Sequence, residues 1–136
     1  MPKPNKFSTV AVKAARYEQE RNGSNPLESW DKAAYEVFPD SESSRKKGCP
    51  RSAFLGLCEE GLVKGIPSGE YIRGKVNKAY VIEVLPLLKA TPSITEKELW
   101  LKACRALKVN EDKKYNSQMH VLKALWDEGL LNEELI

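Results

Sequence analysis

The stretch LCEEGLV, residues 57–63, is matched further along the chain by LWDEGLL, residues 125–131. Upstream of each, ESWDKAA at residues 28–34 is matched by ELWLKAC at residues 98–104. The two pairs occur in the same order, and their matching residues are 68 and 70 positions apart. Two landmarks at nearly the same offset indicate an internal duplication.

Each copy of the first landmark is typical of the end of a helix. A glycine follows the acidic pair and an apolar residue follows the glycine, as in helices that terminate at a left-handed glycine. Apolar residues at helical spacing precede the landmark in both halves and predict three helices in each. The residues predicted to face the core are Phe7, Val10, Ala11, Ala14, Ala15, Leu27, Trp30, Ala33, Ala34, Val37, Phe38, Ala53, Phe54, Leu57, Cys58, Tyr80, Val81, Val84, Leu85, Leu88, Trp100, Ala103, Cys104, Leu107, Val121, Leu122, Leu125 and Trp126.

Strand patterns are scarce, so the sequence predicts an all-α fold of two similar three-helix units packed as one compact body. The first unit covers residues 1–63, a linker covers residues 64–76, and the second unit covers residues 77–136. Trp30 and Trp100 occupy matching positions, and each is predicted to lie at the centre of its own unit. A unit of about 65 residues is marginally stable alone, which favours packing of the two against each other.

Capping residues mark the start of three of these helices. Asn25 and Thr95 each stand three residues before a glutamate, which predicts a side-chain cap at both positions. Residues 116–117, Asn-Ser, are predicted to cap the last helix.

Proline placement marks two further boundaries. Pro86 has no backbone N–H, which predicts a kink or a helix that restarts at Leu85. The third helix is predicted to begin near Cys49 and Pro50, after a polar loop at residues 40–44.

The composition is typical of a water-soluble globular protein. It has 136 residues, 41% of them hydrophobic and 30% charged, and a formal net charge of +3. No apolar run approaches the roughly 20 residues that span a bilayer, and the basic N-terminus leads into no apolar segment of a secretory signal. Three cysteines without paired spacing predict free thiols in a reducing compartment. We therefore expect a cytoplasmic protein that does not bind membranes.

A cluster of cations is the strongest candidate for a binding site. Arg45, Lys46, Lys47 and Arg51 surround the predicted start of the third helix, and no acidic residue occurs from position 43 to position 58. A helix N-terminus offers free N–H groups, so neighbouring cations favour an anion there. These four residues are predicted to contact the anion, and Cys49 and Pro50 are predicted to orient the helix end.

The three-helix plan also resembles the helix-turn-helix class, in which one helix enters the major groove of DNA. The loop from Pro39 to Gly48 is much longer than the turn of that motif. Glu59 and Glu60 are predicted to be exposed, where they would repel DNA. Nucleic acid is therefore one of three predicted anionic partners, beside a phosphorylated ligand and an acidic protein surface.

Cys49 supports a second interpretation. Nearby cations and a helix start stabilise a thiolate, as a thiol-dependent enzyme or a redox sensor would need. A cysteine at such a place also serves simply as a small buried side chain. His120 is the single histidine and has no cysteine or acid at ligand spacing, so we expect no metal site. No cofactor motif occurs, so we expect no cofactor.

The run KKGCP at residues 46–50, continued by FLGLCEEGLVKGIP at residues 54–67, resembles a family of small bacterial proteins known only as a domain of unknown function. Residues 30–44 and 115–129 are similar to the same family. The resemblance implies a bacterial, cytosolic protein and brings no activity with it.

Together these observations favour a non-enzymatic binding or adaptor module whose basic face takes an anionic partner. A thiol enzyme or redox sensor centred on Cys49 is the first alternative. A structural protein that self-associates through exposed Trp or Tyr side chains is the second.

Overall fold

The computed structural model describes residues 5–20, 25–110 and 115–136. Its helices are α1 (Lys6–Glu20), α2 (Pro26–Val37), α3 (Glu42–Arg45), α4 (Gly48–Glu59), α5 (Val76–Glu83), α6 (Leu85–Ala90), α7 (Glu96–Ala106) and α8 (Gln118–Asp127), followed by a 3-10 turn at Glu133–Leu135. Within these ranges the only extended pairing is a single antiparallel bridge between Val63 and Leu131. The predicted all-α class is confirmed.

Helix α4 lies at the centre of the molecule. Every residue from Ala53 to Glu59 is buried, and the helix packs against α5, α8 and α2. Helix α1 packs against α2 and α8. Each predicted unit therefore meets the other through two helices, because α1 contacts α8 and α4 contacts α5. One continuous core results.

The residues predicted to face this core do so. Most of them are fully buried, and the exceptions are half-buried side chains at its edge. Those exceptions are Leu27, Val37, Phe38, Leu107 and Trp126. None of the helices in the described ranges has both the length and the apolar character needed to cross a bilayer.

The two copies of the first landmark meet each other. Beside the bridge, the backbone N–H of Lys64 donates to the carbonyl of Leu130 at 2.9 Å. The N–H of Asn132 donates to the carbonyl of Leu62 at 2.8 Å. Leu130 and Asn132 follow Leu62 and Lys64 by 68 positions each. The paired contacts are therefore reciprocal between residues that the sequence matches, although the duplication as such stays a prediction.

Both landmark helices also end in the same way. Gly61 and Gly129 have φ values of +69° and +68°, the left-handed region that glycine adopts without strain. After Gly61, the N–H of Leu62 donates to the carbonyl of Leu57 at 3.1 Å. The equivalent bond from Leu130 to Leu125 measures 2.9 Å. The predicted helix ends are confirmed.

The structure confirms two of the three cap predictions and contradicts the third. The side chains of Asn25 and Thr95 accept from the backbone N–H of Glu28 and Glu98, as predicted. Ser117 is wrong as a cap: it has a φ of +67°, and its side chain makes no capping bond. Its hydroxyl accepts instead from the side chain of Asn5 at 3.2 Å, so a contact with the start of α1 replaces the local cap.

Two predictions about helix boundaries have clear outcomes. Helix α5 ends at Glu83 and α6 begins at Leu85, which confirms the restart before Pro86. The polar loop at 40–44 is shorter than predicted, because Glu42–Arg45 forms the helical turn α3 and the Ser41 side chain accepts from the N–H of Ser44. Helix α4 then begins at Gly48, one residue before the predicted position.

Trp30 and Trp100 are both buried, with 1% and 5% of their surface exposed. Their aromatic neighbours differ. Trp30 packs on Phe54 with ring centroids 5.3 Å apart. Trp100 lies between Tyr80, at 4.8 Å, and Tyr115, at 5.2 Å. The matching positions therefore share burial and differ in the side chains around them.

Glu59, predicted to be exposed, is buried with 5% of its surface accessible, so that prediction is wrong. Its carboxylate accepts from the backbone N–H groups of Tyr71 and Ile72 at 2.8 and 2.9 Å. The ammonium groups of Lys75 and Lys78 also donate to it, at 2.9 and 3.0 Å. These bonds fasten part of the predicted linker, residues 64–76, to the end of α4.

Candidate anion-binding site

The predicted basic face lies at an open depression of about 510 Å³ between α2, α3 and the start of α4. We call it the basic depression, and it is lined by Asp31, Tyr35, Arg45, Lys46, Gly48 and Arg51. Three of the five predicted binding residues therefore line it, namely Arg45, Lys46 and Arg51. Its charged lining consists of three cations and one carboxylate.

Arg45 is held rigidly at the edge of this depression. Its Nη1 donates to the carbonyl oxygens of Phe38 and Pro39 at 2.8 and 2.9 Å. Its guanidinium lies over the ring of Tyr35, 4.9 Å from the centroid. Tyr35 itself is 60% exposed. In the part of the chain that the structure describes, Arg45 forms no ion pair with a carboxylate, so its charge is not neutralised there.

The two other lining cations are paired with acids. Arg51 forms a fork with Asp31, with Nε to Oδ1 at 3.0 Å and Nη2 to Oδ2 at 3.3 Å. The Lys46 ammonium lies 2.6 Å from the carboxylate of Glu42, one turn away on α3. Hydrogen bonding from Lys46 lowers the pKa of Glu42, and the charge of Arg45 acts in the same direction. Both pairs are accessible to water, which weakens them as stabilising contacts.

Lys47 and Cys49 do not line the depression. The ammonium of Lys47 lies 5.9 Å from the ring centroid of Phe7, on α1. Cys49 is half-buried in the first turn of α4. Cys58 and Cys104 are buried in the core, and burial raises the pKa of the Cys58 thiol well above its usual range. Arg45, Lys46 and Arg51 thus line the basic depression, and Cys49 and Lys47 do not.

The burial of α4 bears on the helix-turn-helix interpretation. A recognition helix must present one face along several turns to the major groove. In α4 only residues 48, 49, 51 and 52 are accessible, and the remainder of the helix is covered on all sides. The fold therefore offers α4 to a partner through its first turn alone.

Asp31 and Tyr35 belong to the depression, and sequence reasoning missed them. They lie four residues apart on α2, so they project from the same side of that helix. Both lie on the polar face opposite the buried stripe of Trp30, Ala33 and Ala34. That shared face was a usable signal, but the sequence does not show which loop would cover it.

A second polar arrangement involves the single histidine. The hydroxyl of Tyr115 lies 2.5 Å from Nδ1 of His120 and accepts from the His120 backbone N–H at 3.0 Å. Burial lowers the pKa of His120, opposed by Glu96 and aided by Lys123. Burial likewise raises the pKa of Tyr115. These bonds hold the first turn of α8.

No group of three or more His, Cys, Asp or Glu side chains stands close enough to hold a metal ion, as far as the described ranges extend. A second open depression, of about 560 Å³, lies at the other end of α4. A third, of about 360 Å³, lies on the surface where α1 and α8 meet, and the ion pair of Arg16 with Glu128 at 3.4 Å belongs to its lining.

Comparison with known proteins gives one match. The model of the family of unknown function DUF6979 matches residues 4–132, nearly the whole chain. No curated protein and no solved structure matches the chain.

Proposed function

We propose that this chain, which belongs to the family of unknown function DUF6979, is a non-enzymatic binding module for an acidic segment of a partner protein. The partner's carboxylates bind Arg45 at the edge of the basic depression, beside the exposed ion pair of Lys46 with Glu42, and its apolar side chains pack on Tyr35. The proposal assigns no catalytic residue.

The observation that carries the proposal is the state of Arg45. Two carbonyl oxygens and the Tyr35 ring fix its guanidinium before any partner arrives, so little side-chain entropy is lost on binding. A fixed arginine beside an exposed tyrosine combines two of the residue types that are enriched at the energetic hot spots of protein interfaces. Such a pair suits a ligand that carries both negative charge and apolar surface.

The distribution of charge favours a protein over a nucleic acid. The phosphate backbone of a nucleic acid binds best to several neighbouring cations that have no acidic partner. In the unbound protein, Asp31 and Glu42 pair with Arg51 and Lys46. The net charge of the chain is only +3. An acidic peptide needs fewer cationic contacts, because its charges are wider apart and alternate with apolar groups.

Fluorescence anisotropy with two labelled probes tests this function. One probe is a peptide of about twelve residues in which Glu and Leu alternate, and the other is an oligothymidylate of matching charge. The Arg45→Ala variant is expected to lose about tenfold in peptide affinity, since it removes a fixed interface cation. Arg73→Ala, which removes an exposed arginine outside the depression, is the matched control and should change affinity less than about twofold.

Equal effects of the two substitutions would reject the depression as the site. Repeating both titrations at several salt concentrations separates the partner classes, because phosphate contacts make affinity fall steeply with salt. Tighter binding of the oligonucleotide than of the peptide at about 150 mM salt would reassign the surface to nucleic acid.

A further inference from the structure

The depression at the other end of α4 has the opposite character to the basic depression. It is lined by Glu60, Leu62, Ile82, Leu85, Pro86, Leu135 and Ile136, and we call it the C-terminal groove. Five of its lining residues are aliphatic side chains and one is a proline. Leu135, at 60% exposure, stands out from its wall. A groove of this composition accepts a large apolar side chain from outside.

Two acidic side chains adjoin this groove on the side of Leu135. Glu133 and Glu134 precede Leu135 in the 3-10 turn and are exposed. The turn is fixed, because the Lys89 ammonium donates to the main-chain oxygens of Glu133 and Ile136 at 3.0 Å each. Neither Glu133 nor Glu134 forms an ion pair with the residues described here.

Two lysines lie near the groove. Lys78 pairs with Glu60 at 2.8 Å and with Glu59 at 3.0 Å, whereas the Lys89 ammonium bonds main-chain oxygens and keeps its charge. The two carboxylates of Glu133 and Glu134 outnumber this one cation, so the turn offers a net negative charge to a partner.

The basic depression carries the complementary features. Tyr35 is a large side chain that is 60% exposed, next to Arg45 and Lys46. Gly48 and Glu60 mark the two ends of α4, so the two surfaces are about 18 Å apart along the helix axis. Because they lie at opposite ends of one central helix, a single molecule cannot bring them together.

We propose that the C-terminal groove of one copy of this chain receives Tyr35 of a second copy, with Arg45 and Lys46 of the second copy facing Glu133 and Glu134 of the first. The inference rests on the proposed function, because it makes the acidic partner of the basic depression another copy of the chain. The contact joins two different surfaces, so it is head-to-tail and leaves one free surface at each end. Assembly therefore grows with protein concentration.

Sedimentation velocity on two charge variants tests the inference. The wild type is expected to show a rising weight-average mass over about a hundredfold range of concentration. Variant A, Tyr35→Ala with Lys46→Glu, has a damaged basic depression and an intact groove. Variant B, Glu133→Lys with Glu134→Lys, has the reverse. Each is expected to sediment as a monomer over the same range.

The mixture of the two variants gives the decisive measurement. Equal amounts of A and B are expected to form a heterodimer and nothing larger, because only the groove of A and the basic depression of B remain intact. Val76→Ala removes another exposed apolar side chain, at 59% exposure, and should associate like the wild type. Circular dichroism confirms that each variant is folded.

Two results overturn the inference: a wild type that stays monomeric, or variants that form no heterodimer when mixed. These results are distinct from failure of the proposed function. If the chain stays monomeric while Arg45→Ala still lowers affinity for the acidic peptide, the proposed function stands and self-docking is rejected. If the chain self-associates and the peptide does not compete, the partner is the second copy alone.

Discussion

At the scale of single residues, Glu59 shows how a buried charge can stabilise this fold. Burial disfavours its ionised form, but hydrogen bonds from the Ile72 N–H, the Lys75 and Lys78 ammonium groups and the Tyr71 N–H outweigh that effect and lower the pKa of Glu59 to about 2. All its donors lie within residues 71–78, so one carboxylate fastens that segment to α4.

Replacing Glu59 with Gln is expected to destabilise the protein and to change its response to acid. A pKa depressed from 4.5 to about 2 stabilises the folded state by about 3 kcal/mol at neutral pH. That contribution is fully present above pH 4.5 and is lost as the pH falls towards 2. Glu59→Gln should therefore lower the free energy of unfolding by about 3 kcal/mol at pH 7, and by much less near pH 2.

Urea unfolding at several pH values from 7 to about 2 measures both effects. Glu60→Gln is the matched control, because Glu60 is its exposed neighbour and pairs with the same Lys78. We expect that control to cost less than about 1 kcal/mol. If the free energy of unfolding falls equally in the wild type and in Glu59→Gln as the pH is lowered, this carboxylate does not cause the loss of stability in acid.

The reactivity of the Cys49 thiol distinguishes the binding interpretation from the thiol interpretation. It is half-buried, whereas Cys58 and Cys104 are buried, so a thiol reagent should modify one cysteine in the native protein and all three after unfolding. Cys49→Ser should abolish the native reaction. A reaction at pH 7 much faster than that of glutathione would favour the redox alternative; a rate no faster would favour a structural role.

At the scale of elements, α4 and α8 each end at a glycine because the backbone there has a positive φ, which other residues adopt only with strain. A Cβ at Gly129 would meet no atom within 4 Å, so any cost of adding one comes from its φ of +68°. Gly129→Ala is expected to lower the free energy of unfolding by about 1 kcal/mol. Gly48→Ala also adds a methyl group to open space, but at a position without positive φ. It should be neutral within about 0.5 kcal/mol in the same urea experiment, and equal losses would contradict the backbone argument.

The same scale shows which helix boundaries could be predicted from sequence. Asn25, Thr95, Pro86 and the two terminal glycines act within one helical turn of themselves, and their local chemistry determines their effect. The Ser117 prediction failed because that hydroxyl binds Asn5, which is 112 residues away. Asp31 and Tyr35 escaped notice for a different reason: the segment after α2 folds back beside the polar face of that helix, and the sequence does not show this direction.

At the scale of the whole molecule, the sequence predicted the helices and their shared core. It did not predict which helices pack against each other. The sequence indicated two groups of helices and a shared core, and the described residues form one continuous core. It did not indicate that each group would meet the other through α1 with α8 and α4 with α5. Those contacts depend on shape complementarity between faces, and the apolar pattern of a helix does not specify which helix will cover it.

This arrangement predicts that neither half folds alone. In a fragment of residues 1–68, α4 would lose α5 and α8, α1 would lose α8, and the bridge from Val63 to Leu131 could not form. A chain of about this length is marginal even with a complete core. We expect residues 1–68 and 69–136 each to show little helical circular dichroism, and their equimolar mixture to recover most of the intact signal. A cooperative thermal transition in either isolated half would mean that the units are independent domains and that the contacts between them are secondary.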